Sequence, residues 1–169
     1  MTGYAILYLD GELVISNSHT VLPKDVFFDY GQFDESKAPW QLNVLDIKTV
    51  RILNLIHVNK MDYWFYRCSN LENIFGFENI DVSNATDFSF MFCCCENLTD
   101  ISVLQNWDVS NGKDFSFMFF GCENLKRIQL PDTLKNLQEE MFHKCNLNLQ
   151  IHWHGHIYTY ADLVEYKKF

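Results

Sequence analysis

Between Cys68 and Gly112 the chain contains no lysine and no arginine. Seven acids fall in that stretch: Glu72, Glu78, Asp81, Asp87, Glu96, Asp100 and Asp108. The segment alone carries −7 of the formal net charge of −9. A field of that sign repels a phosphate backbone, so direct nucleic-acid binding is not expected. No apolar run approaches the ~20 residues that a membrane span needs. The opening Met1-Thr2-Gly3-Tyr4 shows neither a basic region nor an apolar segment ending at a small-residue cleavage site. A cytoplasmic protein without membrane attachment is the expectation. Catalytic signatures are missing as well: there is no G-x-S-x-G, no phosphate-binding glycine loop and no H-E-x-x-H. No enzyme, no cofactor and no catalytic residue is expected. What is plentiful is apolar surface, 48% of 169 residues with 15 phenylalanines, which excludes disorder and suits one domain with a real core.

The apolar residues recur at a fixed interval. Asp81-Val82-Ser83-Asn84, Phe88-Ser89-Phe90-Met91-Phe92 and Cys95-Glu96-Asn97-Leu98 all return 27 residues later, starting at Asp108, Phe115 and Cys122. Trp64 to Leu71 fits the same frame one period earlier, and Met141 to Cys145 fits after a shorter step. A cysteine is followed six residues on by isoleucine in all four units: Cys68 and Ile74, Cys95 and Ile101, Cys122 and Ile128, Cys145 and Ile151. Leu98-x-x-Ile101-x-Val103 and Leu125-x-x-Ile128-x-Leu130 carry the spacing of a leucine-rich repeat, whose short strand buries one side. Phe88, Met91 and Phe92 sit at i, i+3 and i+4, which predicts one face of a short helix, with Asp87 and Asp114 as caps. The expected fold is α/β: a short leucine-rich-repeat solenoid with parallel strands on one face and short helices on the other. One domain, 1–169, is expected, with repeats over 47–151 and Phe88, Phe92, Leu98, Ile101, Phe115, Phe119, Leu125 and Ile128 as core.

The run D-V-S-N-x-x-D-F-S-F-M-F-x-x-C-E-N-L resembles the repeat of the BspA-like leucine-rich-repeat proteins, many of which are bacterial surface proteins. The resemblance covers about residues 47–151. It implies a parallel-sheet solenoid that binds other proteins, with no catalytic residues.

Both ends read as caps. Asp10-Gly11 is a two-residue turn signal between Tyr4 and Ser16, so 1–46 is expected to be a β-rich N-terminal cap. Residues 23–40 read as an irregular connection rigidified by aromatics. Ile47-x-x-Val50-x-Ile52 begins the parallel stack. At the C-terminus, 152–169 reads as a hairpin turning at His154-Gly155, followed by a helix from Ala161 to Lys168 opened by Thr159. Cys68, Cys95, Cys122 and Cys145 occupy one repeat position and are expected to be buried and reduced, whereas Cys93 and Cys94 are expected at the surface. His152-x-His154-x-His156, with His143 and Cys145 upstream, is the pattern nearest to a zinc site. A turn at Gly155 would separate its members, so structural or surface histidines are the reading and no metal is expected.

Charge and the outward strand positions nominate the functional surface. Glu72, Asn73, Phe75, Glu78, Asp81, Asp100 and Asp108 are the candidate partner-binding residues. They suit a non-enzymatic intracellular module that binds a protein with a basic surface. An acidic inhibitor of a nucleic-acid-handling protein, of the mobile-element or phage anti-defence type, fits that description. The alternatives are a bacterial surface or adhesion repeat and a zinc-binding protein built on the C-terminal histidines. The oligomeric state is left open.

Overall fold

Leu7 faces Leu13 and Tyr4 faces Ser16 across the first hairpin, whose turn places Gly11 at φ +85°. The structure, a computed structural model, describes residues 2–34 and 38–166. Among these the strands are β1 (Thr2–Tyr8), β2 (Glu12–Ser16), β3 (Val26–Asp34), β4 (Thr49–Ile52), β5 (Ile56–His57), β6 (Asn73–Phe75), β7 (Ile80–Asp81), β8 (Arg127–Gln129), β9 (Gln150–Trp153) and β10 (His156–Thr159). One α-helix follows, α1 (Tyr160–Tyr166). The strands make three sheets: β3-β1-β2-β4-β6, β10-β9-β8 and the parallel pair β5-β7. Within the first, β3-β1-β2 is antiparallel and β2-β4-β6 is parallel.

The expected solenoid with helices on one face is overturned: the chain is a β-rich domain of three sheets with a single short α-helix among its described residues. Two findings account for this. The segments around Phe88–Phe92 and Phe115–Phe119 are successive turns, because Phe90 and Phe117 adopt left-handed φ of 55° and 56°. A right-handed helix does not pass through such residues. Alternate amides then do different work. The N–H groups of Met91, Cys93 and Cys95 donate to carbonyls three residues back, at Phe88, Phe90 and Phe92. Those of Phe88, Phe90, Phe92 and Cys94 donate to Asp114, Ser116, Met118 and Phe120 of the next repeat. A helix would send them all to its own carbonyls. The second finding is that the segment expected as a strand at Ile101–Val103 enters a 3-10 turn, Ser102–Asn106, and retains only a bridge from Asp100 to Arg127. The strand-bearing side is therefore two sheets rather than one.

The 27-residue units nevertheless pack directly on one another. Phe65, Phe92, Phe119 and Phe142 stack with centroid separations of 5.4, 5.7 and 5.6 Å. The eight expected core residues are all buried. Phe90 and Phe117 stack at 5.0 Å on the outer side, continuing from Tyr63 at 4.9 Å, so they serve contacts between repeats. The cysteine column has a hydrogen-bonding role: Cys95, Cys122 and Cys145 Sγ donate to the Phe65, Phe92 and Phe119 carbonyls, each at 3.1 Å. All six cysteines are free. Burial pushes the thiols of this column up, that of Cys145 to about 12.

The ends are built from recognisable local devices. Trp40, fully buried, donates Nε1–H to the Trp64 carbonyl at 2.6 Å and closes the N-terminal side. Residues 26–34 are the edge strand β3 rather than irregular chain, with register shifts opposite Ala5/Ile6 and Leu7/Tyr8. At the other end β9 and β10 pair around His154-Gly155. Thr159 and Asp162 cap α1 reciprocally: Asp162 Oδ2 accepts from Thr159 N–H at 2.7 Å, and Thr159 Oγ1 accepts from Asp162 N–H at 3.2 Å. Lys167 and Lys168, expected in the last helical turn, lie outside the described residues.

Candidate partner-binding surface

β6 carries the aromatic candidate. Its register with β4 sets Asn73 beside Thr49 and Phe75 beside Arg51, and Glu72 N–H donates to the Lys48 carbonyl at 2.9 Å. The Arg51 guanidinium lies 5.1 Å from the Phe75 ring centroid, a cation–π contact that leaves the ring 48% exposed. Arg51 is itself held: its Nε donates to Glu12 Oε1 at 2.7 Å, while Lys24 Nζ donates to Glu12 Oε2 at 2.6 Å. Burial alone would push the Glu12 carboxyl up; the hydrogen bonds from Lys24 and Arg51 outweigh it and hold the group below its ordinary range. Beside β6, Glu72, Asn73, Asn97, Thr99, Asn124 and Lys126 line an open polar groove across consecutive repeats. Asn124 Nδ2 donates to the Glu96 carbonyl at 2.9 Å, tying one repeat to the last along this groove.

The acidic candidates divide by the work they already do. Asp81 Oδ1 accepts from Ser83 N–H at 3.0 Å, and its Oδ2 pairs with His57 Nδ1 at 2.6 Å. Hydrogen bonds from Ser83, then His57, hold the Asp81 carboxyl below its ordinary value. Asp108 repeats the motif with Ser110 N–H at 3.0 Å, and the hydrogen bonds from Ser110 hold its carboxyl below its ordinary value against opposing pushes from desolvation and from Asp81. Asp100 Oδ1 accepts from Ser102 N–H at 2.7 Å, and the Asp100 backbone forms an isolated parallel β-bridge with Arg127. Asp87 and Asp114, expected as helix caps, instead hold turns through Ser89 and Ser116 N–H. Among the described residues no ion pair reaches Glu72, Glu78, Glu96, Asp100 or Asp108, and all five are exposed. Geometry thus joins Glu72 and Asn73 in the groove, and Asp81 with Asp108 along the repeated turn. Glu78 stands in the short 3-10 turn Phe77–Asn79 that links Phe75 to Asp81.

The remaining candidates are resolved by position. His152 lies on β9 opposite Ile157, His154 is in the hairpin turn with Nε2 at 3.0 Å from the Asp132 carbonyl, and His156 pairs with Trp153. Among the described residues no group of three or more histidine, cysteine or acidic side chains is placed to hold a metal ion. Cys93 corrects the expectation of two surface thiols: it is 4% exposed, and only Cys94 is partly accessible. One surface had no signal in the spacing. Phe27 and Phe28 on β3 are 45% and 51% exposed, and Phe27 shares a shallow groove with Leu9 and Leu45. Three consecutive apolar residues, Val26-Phe27-Phe28, are the trace of this surface in the sequence.

Residues 25–153 match the family described as "Mycoplasma protein of unknown function, DUF285", and the chain belongs to that family. No curated protein matches it, and no solved structure does. No helix among the described residues is long and apolar enough to cross a membrane.

Proposed function

We propose that this protein is a non-enzymatic binding module whose strand-side groove engages a protein with a basic surface. The observation that carries this reading is the set of exposed acids with no ion pair among the described residues, Glu72, Glu96 and Asp100 among them; Glu72 and Asn73 line the groove, and half-exposed Phe75 lies on the same strand as Asn73. Phe75 already carries one guanidinium on its ring, so an arginine from a partner has a ready counterpart in chemistry. A nucleic-acid-handling protein is the partner class that fits best, because an acidic surface competes with a phosphate backbone for the same basic groove. Inhibition of such a protein follows from that competition. The test is affinity capture from the native host with wild-type protein and with the Glu72→Lys/Asp100→Lys double variant. A basic protein retained only by the wild type supports the reading; equal retention by both removes it.

A second reading rests on the repeat itself. The D-V-S-N and C-E-N-L units resemble BspA-like leucine-rich repeats, which supports a surface or adhesion role. Protease treatment of intact host cells separates the two: cleavage of the protein on unbroken cells favours the surface reading, and protection favours the first.

A further inference from the structure

The sulfurs of Cys93 and Cys94 lie 3.6 Å apart, and neither is in a disulfide. The pair departs from the repeat, where Tyr66-Arg67, Phe120-Gly121 and His143-Lys144 occupy the corresponding places. The turn therefore forms without cysteine at either position. The column cysteines differ, since Cys95, Cys122 and Cys145 each satisfy a carbonyl of the preceding repeat.

The two thiols see different surroundings. Cys93 is 4% exposed. Cys94 is half-buried at a left-handed φ of 61° and opens onto a cleft lined by Val44, Leu45, Arg67, Ser69 and Glu96. Gly121 stands over it in the next repeat. A methyl group there would lie 3.4 Å from Cys94 Sγ, so the missing side chain leaves that sulfur uncovered. One sulfur is thus reachable from a cleft that Arg67 also lines, and a second is in contact with it.

We infer that Cys94 is a site of reversible oxidation by hydroperoxides, with Cys93 as the thiol that resolves the product. The Cys94 sulfur attacks the terminal peroxide oxygen and the O–O bond breaks. The sulfur becomes a sulfenic acid, and the leaving oxygen takes the thiol proton as an alcohol, or as water when the oxidant is hydrogen peroxide. Arg67 offers that leaving oxygen a hydrogen-bond donor. The Cys93 sulfur then attacks the Cys94 sulfur, its proton leaves with the hydroxyl as water, and the S–S bond closes. Two thiols lose two electrons and one peroxide accepts them. Closure brings the sulfurs from 3.6 Å to about 2.05 Å and makes a ring through the Cys93–Cys94 peptide bond, which the backbone of the turn must accommodate. Cys93, 4% exposed, is shielded from the peroxide and is therefore the second sulfur to react; the same burial, with the contact to Cys94 adding to it, pushes its thiol up. A ring between neighbouring cysteines is strained, and strained disulfides are the readily reduced ones, so a cellular thiol reverses the change.

The full-length protein is treated with hydrogen peroxide and read by intact mass and peptide fragmentation. Wild type is expected to lose two hydrogens, recovered with dithiothreitol. Cys93→Ser is expected to gain one oxygen, trapped by dimedone at Cys94. Cys94→Gly, which copies the residue native at 121, is expected to show neither change at the same dose. Melting curves establish that both variants are folded. Phenylarsine oxide, which bridges closely spaced thiols, supplies a readout without variants: a one-to-one adduct that blocks the peroxide reaction. The inference fails if Cys94→Gly still loses two hydrogens, if wild type collects oxygens without closing the ring, or if the native protein takes up no arsenical.

Discussion

Asp81, Asp87, Asp100, Asp108 and Asp114 each turn one carboxylate oxygen toward the backbone N–H two residues on. Short acidic side chains close such turns because they reach their own backbone without strain. A count of charges does not distinguish these aspartates from acids that hold no such turn, such as Glu72 and Glu96. The Asp81 carboxyl is held below its ordinary value of 3.8, first by Ser83 and then by His57, so the folded state binds its proton less tightly than the unfolded chain. Its stabilisation is present above that ordinary value and is lost as pH falls through the lower folded value. Denaturant midpoints for wild type and Asp81→Asn should differ at neutral pH and converge in acid. Thiols divide in the same residue-by-residue way. Limited labelling of the native protein with a maleimide should modify Cys94 first and leave Cys93, Cys95 and Cys122 untouched, since all three are buried.

Among elements, the stacked turns decide the architecture. Phe92 is fully buried between Phe65 and Phe119, and Phe92→Ala should cost roughly 3–5 kcal/mol in urea unfolding. The period, the core and the cysteine column were legible because each depends on which residues are apolar at a fixed interval. The helices were not, because i, i+3, i+4 spacing also suits a chain of three-residue turns. The distinction rests on left-handed backbone at Phe90, Cys94 and Phe117, residues without the glycine that usually marks it. Backbone hydrogen bonds to the next repeat supply what local preference does not. Far-UV circular dichroism should therefore show little helix, of the order expected for the single element α1. β3 was missed for a different reason: Val26, Phe27 and Phe28 at an exposed edge do not alternate, and Gly31 at φ +62° interrupts the strand where the register shifts. The candidate site was partly legible. The outward position of Glu72, Asn73 and Phe75 follows from the burial of Leu71, whereas the Arg51 guanidinium over Phe75 needs strand pairing across 24 residues of chain.

For the whole molecule, the acids lie over the middle repeats, while lysine and arginine return at Lys113, Lys126 and Arg127. Such asymmetry steers association more than it holds a complex together. On the proposed binding role, affinity rests on a smaller apolar anchor, and Phe75→Ala should raise the dissociation rate while leaving the association rate nearly unchanged. The most direct measurement of the proposed binding role is the association rate between this protein and a basic protein recovered by the affinity capture, followed from low salt to above 0.15 M. At that ionic strength screening already shortens the field to about 8 Å. Wild type should associate fast at low salt and slow steeply as salt rises, and Glu72→Lys/Asp100→Lys should be slow throughout with a shallow dependence. Identical rates and salt slopes for the two proteins would contradict an acidic surface built for binding.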